Sequence, residues 1–366
     1  MELAIVGLAR SGKTTVFNAL THAHALTGTY AGEAELHVGA VKMPDKRLDK
    51  LAALFRPKKV THVDIQFVDI PGGLTWRGAG RGEGPAPPVQ AALDRADALV
   101  HVVRGFQNDA VPHPEGSVDP ARDIDAFNLE LVFADLTIVE RRLERLDTAV
   151  RSARAGEREA GEKELALLRR VKEGFEQEKP LYAQGLSTED IRSLGNYNLL
   201  SAKPLLTLLN IGEEDVSRQD EIEAEYRGQV GPQTAVAALC GKLEMELNDL
   251  AEEEAAEFRA DLGVGEPAAD RISRLAFELL GLVSFFTVGE DECRAWAIPK
   301  NTPAVRAAGR VHTDMEKGFI RGEVIRWDEL LETGSLAEAR KRGVLRGEGK
   351  TYEVQDGDVF HILFNV

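Results

Sequence analysis

The stretch Gly7-Leu8-Ala9-Arg10-Ser11-Gly12-Lys13-Thr14 decides the fold of this chain. It fits the phosphate-binding template G-x-x-x-x-G-K-[ST]. A short apolar strand, Leu3-Ala4-Ile5-Val6, precedes it. After it, the spacing of Val16, Phe17 and Leu20 by three and four residues predicts a helix with one buried stripe. Strand, glycine-rich turn and helix in this order predict an α/β nucleotide-binding domain rather than a chance turn.

Each residue type in this turn suits the binding of phosphate. Glycines let backbone N–H groups close around phosphate oxygens, and the helix N-terminus adds a partial positive charge. The Lys13 ammonium is expected to bind the β- and γ-phosphates, and the Thr14 hydroxyl to hold Mg²⁺. The predicted nucleotide contacts in this region are Gly7, Ala9, Arg10, Ser11, Gly12, Lys13, Thr14 and Thr15.

Two further motifs complete the predicted site. Asp69-Ile70-Pro71-Gly72 follows a strand, so Asp69 is expected to hold a metal-bound water and the Gly72 N–H to reach the γ-phosphate. With Lys13, these two are the predicted catalytic residues. Asn210-Ile211-Gly212-Glu213 stands where GTPases carry Asn-Lys-x-Asp, and Cys240-Gly241 follows the next strand, where a backbone amide would contact the base.

The side chain at position 213 affects whether the site prefers guanine or adenine nucleotides. An Asp there accepts two charge-assisted hydrogen bonds from guanine, whereas Glu213 is one methylene longer and Ile211 replaces the lysine. Guanine selectivity is therefore expected to be weakened or lost. The alternative is that Glu213 and Glu214 are only acids at a helix start.

Composition limits the class of protein. A chain of 366 residues predicts two or three domains, and Cys240 and Cys293 are too few and too distant for a disulfide framework or a zinc cluster. We expect a cytoplasmic protein without a membrane span. The net charge of −16 argues against coating nucleic acid by bulk attraction. Residues 140–172 are mildly basic, so a local contact with RNA stays open beside an ordinary solvated helix face.

The pattern along the chain predicts four segments. Residues 1–127 and 201–279 read as two parts of one nucleotide-binding domain, with strands at 2–6, 36–42, 62–68, 98–103, 204–209 and 234–239 and a glycine- and proline-rich loop at 72–88. Residues 128–200 form a helical insertion, and residues 280–366 a third unit. In that unit Tyr352 to Val359 reads as strand, Asp-Gly turn and strand.

The helical insertion carries the apolar spacing of a coiled coil. Its first helix has the heptad seam, Ala155-Gly156 breaks the pattern, and a returning helix ends at Pro180. Two antiparallel helices forming an arm are the simplest interpretation. The apolar positions are Leu136, Val139, Leu143, Leu146, Val150 and Ala153, then Leu168, Val171 and Phe175.

Stretches over nearly the whole chain resemble the YchF family of Obg-like ATPases. The resemblance implies a P-loop NTPase domain, an inserted antiparallel coiled-coil arm and a C-terminal ubiquitin-like TGS domain of α+β type. It also implies binding of ATP, often in preference to GTP, with Mg²⁺, slow hydrolysis, and association with ribosomes or large-subunit particles. The matching stretches are Val41 to Leu48, Phe67 to Ile70, His101 to Arg104, Val118 to Ile124, Ser284 to Gly289, Arg294 to Trp296, Ala307 to His312, Gly318 to Arg321, Gln355 to Asp358 and Phe364 to Val366.

The chain also departs from this family. Arg10-Ser11 and His37 replace residues usual in the family, and Gly73 follows Gly72 where a hydrophobic residue is usual. Glu33 falls where the family has a Mg²⁺-sensing threonine, with Thr27 and Thr29 close by. A carboxylate cannot make the threonine's contacts to the metal and the γ-phosphate together. Gly73 has no side chain to orient the attacking water, so slow turnover is expected. The chain therefore resembles a divergent member of the family.

Three functions stay open at this point. The first is a slow hydrolase of ATP, with GTP also open, that acts as a ribosome-associated switch. The second is an adaptor that binds nucleotide with little hydrolysis and contacts RNA or protein through the arm or the C-terminal domain. The third is a GTP-specific GTPase.

Overall fold

A computed structural model describes residues 1–25, 36–74, 85–228, 230–231 and 234–365. Its strands are β1 Glu2–Val6, β2 His37–Met43, β3 Lys59–Thr61, β4 Val63–Asp69, β5 Ala98–Gly105, β6 Leu205–Ile211, β7 Thr234–Leu239, β8 Leu282–Thr287, β9 Glu292–Pro299, β10 Phe319–Arg326, β11 Arg346–Glu348 and β12 Asp358–Phe364. Most of the predicted loop at 72–88 lies outside the described residues, and a helix already begins at Pro87.

Helices occupy much of the remaining chain. The α-helices are α1 Lys13–Thr21, α2 Lys46–Phe55, α3 Pro87–Arg95, α4 Pro120–Ser152, α5 Ala155–Glu176, α6 Thr188–Leu194, α7 Gln219–Arg227, α8 Gly241–Asn248, α9 Glu252–Asp261, α10 Ala268–Leu279, α11 Ala304–Val311, α12 Thr313–Lys317, α13 Trp327–Thr333 and α14 Leu336–Arg342. Short 3₁₀ helices span Leu181–Ala183, Gly195–Tyr197, Leu200–Ala202 and Glu213–Arg218. In the part of the chain described here, no helix combines the length and apolarity that a membrane crossing needs.

Contacts divide the chain into two compact units. One comprises Met1–Gly39 with Gln66–Ala269, and the other comprises Ala40–Ile65 with Asp270–Val366. The helical arm therefore groups with the nucleotide-binding residues, and the segment 40–65 groups with the C-terminal residues. The boundaries of the four predicted segments stay a prediction.

A sheet whose strands β4, β1, β5, β6 and β7 run parallel organises the first unit. Its strand order is β2-β4-β1-β5-β6-β7, and β1 pairs in parallel with both β4 and β5. Leu3 to Val6 are fully buried because helices cover both faces of a parallel sheet. The predicted α/β class is confirmed, and every strand predicted for this domain is present with its ends shifted by at most two residues.

The arm consists of α4 and α5, packed along the predicted apolar seam. Val139, Leu168 and Val171 are fully buried in it. Ion pairs join the helices, with Arg142 paired to Glu164 at 2.7 Å and Lys172 to Glu140 at 2.9 Å. In these two pairs the earlier residue of α4 meets the later residue of α5, as in an antiparallel arrangement. The break between the helices lies at residues 153–154. Ala155-Gly156 forms the first turn of α5 instead of ending α4.

The second unit has a mixed sheet of order β11-β10-β12-β8-β9-β3. The strand β12 runs antiparallel to β10 and parallel to β8. The strand β3, which the sequence pattern did not indicate, pairs in parallel with β9. The fold agrees with the expected α+β C-terminal unit.

The predicted hairpin at Tyr352 to Val359 is wrong in its first half. The Asp-Gly turn and the following strand are present, but Glu353 forms only an isolated bridge with Pro303. The Asp358 carboxylate accepts hydrogen bonds from the Gln355 N–H at 2.8 Å and the Tyr352 hydroxyl at 2.7 Å. The Asp358 side chain thus accepts from a backbone N–H that a strand ladder would otherwise pair.

Candidate functional site

The predicted site residues meet at the carboxyl edge of the parallel sheet in the first unit. The loop 7–12 leaves β1, Asp69 ends β4, Asn210 lies near the end of β6, and Cys240 follows β7. Because parallel strands place their carboxyl ends at one edge, residues far apart in sequence become neighbours there. The register pairs Ile5 with Asp69 directly.

The loop after β1 has the backbone that a phosphate cradle requires. Gly12 has a φ of +90°, and Gly7 a φ of +144°. A Cβ atom at Gly12 would overlap the side-chain amide of Asn210, so glycine is required there for space as well as for backbone conformation. Arg10 also has a positive φ, +65°, and its Nη1 donates to the Pro112 carbonyl at 3.1 Å.

Lys13 is held inside this loop. Its Nζ donates to the carbonyl oxygens of Gly7 at 3.2 Å and Leu8 at 2.9 Å. An ammonium has three N–H donors, which leaves one for a ligand. Burial lowers the pKa of Lys13 to about 8, and the negative charge of Asp69 partly opposes that shift. A polyphosphate in the loop would favour the charged form further.

The two predicted metal residues are in contact. The Thr14 hydroxyl donates to Asp69 Oδ2 at 2.8 Å. Asp69 is buried, and its other oxygen, Oδ1, has no hydrogen-bond partner among the described residues. A hydroxyl beside a buried carboxylate with a free oxygen is a donor set of the hard-oxygen type that Mg²⁺ prefers. The residues present therefore fit a Mg²⁺ ion.

Asn210 connects three of the loops. Its Nδ2 donates to the Ser11 carbonyl at 3.1 Å, and its Oδ1 accepts from the Gly241 N–H at 3.1 Å. One donor and one acceptor of this buried amide thereby tie the phosphate loop and the start of α8 to β6, and its second N–H donor stays available to a ligand. Thr15 also lies against Gly241.

The residues around the predicted base position differ in exposure. Glu213 is half exposed and accepts a hydrogen bond from Lys242 Nζ at 2.8 Å. Ile211 and Cys240 are buried in an apolar cluster with Val103 and Leu209. The side chain of Ile211 is therefore part of the core, and burial raises the pKa of the Cys240 thiol.

Comparison with known proteins identifies the family. The sequence profile described as "50S ribosome-binding GTPase" matches residues 2–133. The profile of the YchF-GTPase C-terminal domain, described as a protein of unknown function, matches residues 282–365. A Bacillus subtilis protein named ribosome-binding ATPase YchF is 38% identical over the full length of both chains. The chain belongs to the YchF family.

Further YchF proteins agree with this assignment. The Escherichia coli O157:H7 protein of the same name is 37% identical over all of this chain and 99% of its own. The structure of the Schizosaccharomyces pombe YchF GTPase superposes with a TM-score of 0.81 at 28% identity, covering 99% of this chain and 97% of that one. The chain is therefore a P-loop NTPase, and the predicted family, fold and enzyme class are confirmed.

Several departures from the YchF pattern can be located. Gly73 packs against the phosphate loop, since a Cβ there would lie 3.1 Å from the Ala9 nitrogen, whereas Gly72 has open space around it. His37 Nδ1 lies 3.4 Å from Asp69 Oδ2. Glu33, Thr27 and Thr29 lie outside the described residues, so their predicted relation to the metal stays a prediction.

Arg104 is a buried residue near this YchF site that the sequence motifs do not indicate. Its guanidinium is buried, donates to the carbonyl oxygens of Phe106 at 3.1 Å and Asn108 at 3.4 Å, and lies 4.6 Å from the centre of the Phe106 ring. Phe106 in turn lies beside Gly12. The available signal was an arginine near the end of the apolar strand β5. An arginine next to buried strand residues is expected to have a hydrogen-bonding partner, because arginine is rarely buried without one.

Proposed function

We propose that this protein hydrolyses ATP slowly and acts as a ribosome-associated switch in the cytoplasm. The observation that carries the proposal is the contact of Thr14 with Asp69, whose second oxygen is unpartnered, directly beside the buried Lys13. This arrangement brings together the hydroxyl, carboxylate and ammonium groups that a triphosphate with its metal needs. The relatives named ribosome-binding ATPases support the choice of partner and reaction.

In this proposal Thr14 and Asp69 hold Mg²⁺, which neutralises charge on the phosphates when bound. Lys13 binds the β- and γ-phosphates with the donor that the Gly7 and Leu8 carbonyls leave free. The N–H groups of the loop 7–12 and of α1 surround the phosphates, while Gly72 reaches the terminal one. Asn210 holds the loop in place and contacts the base, with Glu213 and the Cys240–Gly241 backbone.

The slow turnover is attributed to Gly73, the residue after Gly72. Phosphoryl transfer needs a positioned water, and Gly73 supplies no side chain for that purpose. The space at Gly73 is already limited by the Ala9 nitrogen, so the loop itself opposes a larger residue. We infer that a partner, the ribosome or its large subunit, completes the site.

A second candidate is a nucleotide-binding adaptor with little hydrolysis. The missing side chain at position 73 favours it. In that case the arm, whose residues 140–172 are mildly basic, or the C-terminal unit would contact RNA or protein. A GTP-specific switch is the third candidate, and Glu213 in place of Asp disfavours it.

Phosphate release in single-turnover reactions, with and without ribosomes, separates these functions. The proposal expects slow release from the isolated protein, faster release with ribosomes, and none from Lys13→Met in either condition. A rate of tens per second for the isolated protein would refute the slow switch. Absence of release in both conditions would favour the adaptor, and GTP binding a hundredfold tighter than ATP would favour the GTPase.

A further inference from the structure

A single ion pair connects the two loops that border the predicted base position. Lys242, in the first turn of α8, donates from Nζ to Glu213 Oε1 at 2.8 Å. Glu213 begins the 3₁₀ helix that follows β6. The pKa of Lys242 is raised, first by this hydrogen bond and then by the charge of Glu213. Among the residues that the structure describes, Glu213 Oε2 has no partner.

The pair lies where two loops already meet. Three residues before Glu213, Asn210 accepts a hydrogen bond from the Gly241 N–H, the residue next to Lys242. The Glu213 carboxylate also raises the pKa of the nearby Cys240 thiol, although burial is the larger cause. The Lys242 hydrogen bond thus links the half-exposed carboxylate to the segment that carries Cys240 and Gly241.

The hydrogen-bonding needs of the two purines differ at such a carboxylate. Guanine presents two adjacent donors, N1–H and the N2 amino group, which a carboxylate with both oxygens free accepts together. Adenine presents one donor group on that edge, the N6 amino group, beside the acceptor N1. A carboxylate with one oxygen held by an ammonium keeps one oxygen without a competing donor, and its attraction for a second donor at the shared oxygen is reduced.

We propose that Lys242 is a positioning residue that lowers the preference for guanine by holding one oxygen of Glu213. The inference rests on the proposed nucleotide site and assigns to Lys242 a part in the choice between ATP and GTP. Glu213 Oε2 remains available to a single amino group, which adenine supplies. An exposed ion pair contributes little to stability by itself, so the effect is expected in nucleotide selectivity and not in folding.

The test measures the affinities of fluorescent ATP and GTP analogues, with Mg²⁺, for four proteins: the unaltered chain, Lys242→Met, Glu213→Gln and the double variant. Lys242→Met frees the carboxylate, so the ratio of GTP to ATP affinity should rise about fivefold, which corresponds to the full strength of an exposed ion pair. In the Glu213→Gln background the same lysine change should leave the ratio within about twofold, since no carboxylate is present to release.

Two controls make the result specific. Lys242→Arg keeps a cation at the pair and should retain the original ratio. Lys58→Met removes a lysine from an exposed ion pair with Asp291 in the other unit and should change nothing. A ratio unaltered in Lys242→Met, or altered equally in the Glu213→Gln background, would overturn the inference. Failure of the unaltered chain to bind either analogue would instead overturn the proposed function.

Discussion

At the scale of single residues, the phosphate loop depends on Gly12 having no side chain. Its positive φ is costly for other residues, and the place of its Cβ is taken by the Asn210 amide. Asn210 uses both ends of that amide to join Ser11 and Gly241. The phosphate loop and Asn210 therefore depend on each other, and a substitution in either should disturb the position of both.

Gly12→Ala is expected to weaken ATP binding about tenfold or more, because displacing Asn210 breaks two buried hydrogen bonds that each contribute about 1 kcal/mol. The matched control is Gly116→Ala, which has a similar φ of +82° but no atom within 4 Å of its Cβ. Both variants should lose stability in urea unfolding because of the positive φ, Gly12→Ala by about 2 kcal/mol more because of the two broken hydrogen bonds, and only Gly12→Ala should lose affinity. Equal affinity in the two variants would contradict the role given to Asn210.

His101 makes the stability of the first unit sensitive to acid. The ring is fully buried, stacks on Phe127 with 3.9 Å between ring centres, and has no hydrogen-bond partner at either nitrogen among the described residues. Burial, with a smaller effect of the Lys13 charge, lowers the pKa of His101 to about 3. The native state therefore keeps the ring neutral in conditions under which the unfolded chain protonates it.

Stability contributed by the neutral His101 is present above pH 6.5 and lost as the pH falls toward 3, because acid then favours the unfolded chain. The loss should reach about 2 kcal/mol at pH 5. Urea unfolding at pH 7.5 and pH 5 measures it. His101→Leu should reduce the difference in the free energy of unfolding between the two pH values, whereas His361→Gln at an exposed position should leave it unchanged. An unchanged difference in His101→Leu would remove His101 as its cause.

At the scale of elements, the arm depends on how closely its helices approach. Gly161 on α5 is buried, and a Cβ there would lie 2.5 Å from Val150 Cγ2 on α4. A small residue is therefore needed where the helices meet near the end of the arm. Gly156, in the first turn of the same helix, has open space instead.

Gly161→Ala is expected to destabilise the arm by about 1–3 kcal/mol through overpacking. Gly156→Ala should be neutral or stabilise the helix by up to about 1 kcal/mol, because alanine favours helix and nothing obstructs its methyl group. Hydrogen exchange of the α4 and α5 amides measures the local effect, and ATP affinity should stay unchanged. Equal exchange in the two variants would show that the contact with Val150 adjusts without cost.

At the scale of the whole molecule, nucleotide binding and folding should be linked. A ligand that binds only the folded state stabilises it by an amount that grows with concentration, reaching about 2.7 kcal/mol at one hundred times the dissociation constant. The proposed ligand site is formed by loops after four strands, so it exists only when the sheet of the first unit is folded.

The midpoint of thermal unfolding should therefore rise with the concentration of ATP and Mg²⁺ together, measured by differential scanning fluorimetry. Lys13→Met should abolish the rise, because it removes the ammonium held between the Gly7 and Leu8 carbonyls. Lys58→Met, distant from that loop in sequence and in the other unit, should retain it. The same rise in both variants would place the stabilising contact elsewhere in the chain.

Local patterns predicted much of this molecule. The strands of the first unit and the arm helices follow from apolar periodicity, which records which face of each element is buried. The loop at 7–14 and Asp69 follow from motifs whose chemistry is local. The three-residue strand β3 and the absent strand at Tyr352 could not be predicted, because pairing with β9 and hydrogen bonding to Asp358 are contacts with distant or side-chain groups.

The sequence by itself determined the class of domain, the phosphate loop and the antiparallel arm, since each depends on neighbours within a few residues or on a repeating spacing. Only the tertiary structure decided that Lys242 holds Glu213 and that residues 40–65 join the C-terminal unit. Lys242 and Glu213 are 29 positions apart, Lys59 pairs with Glu292, and no local pattern specifies such a partner. The parallel sheet brings the site residues together by placing its strand ends at one edge.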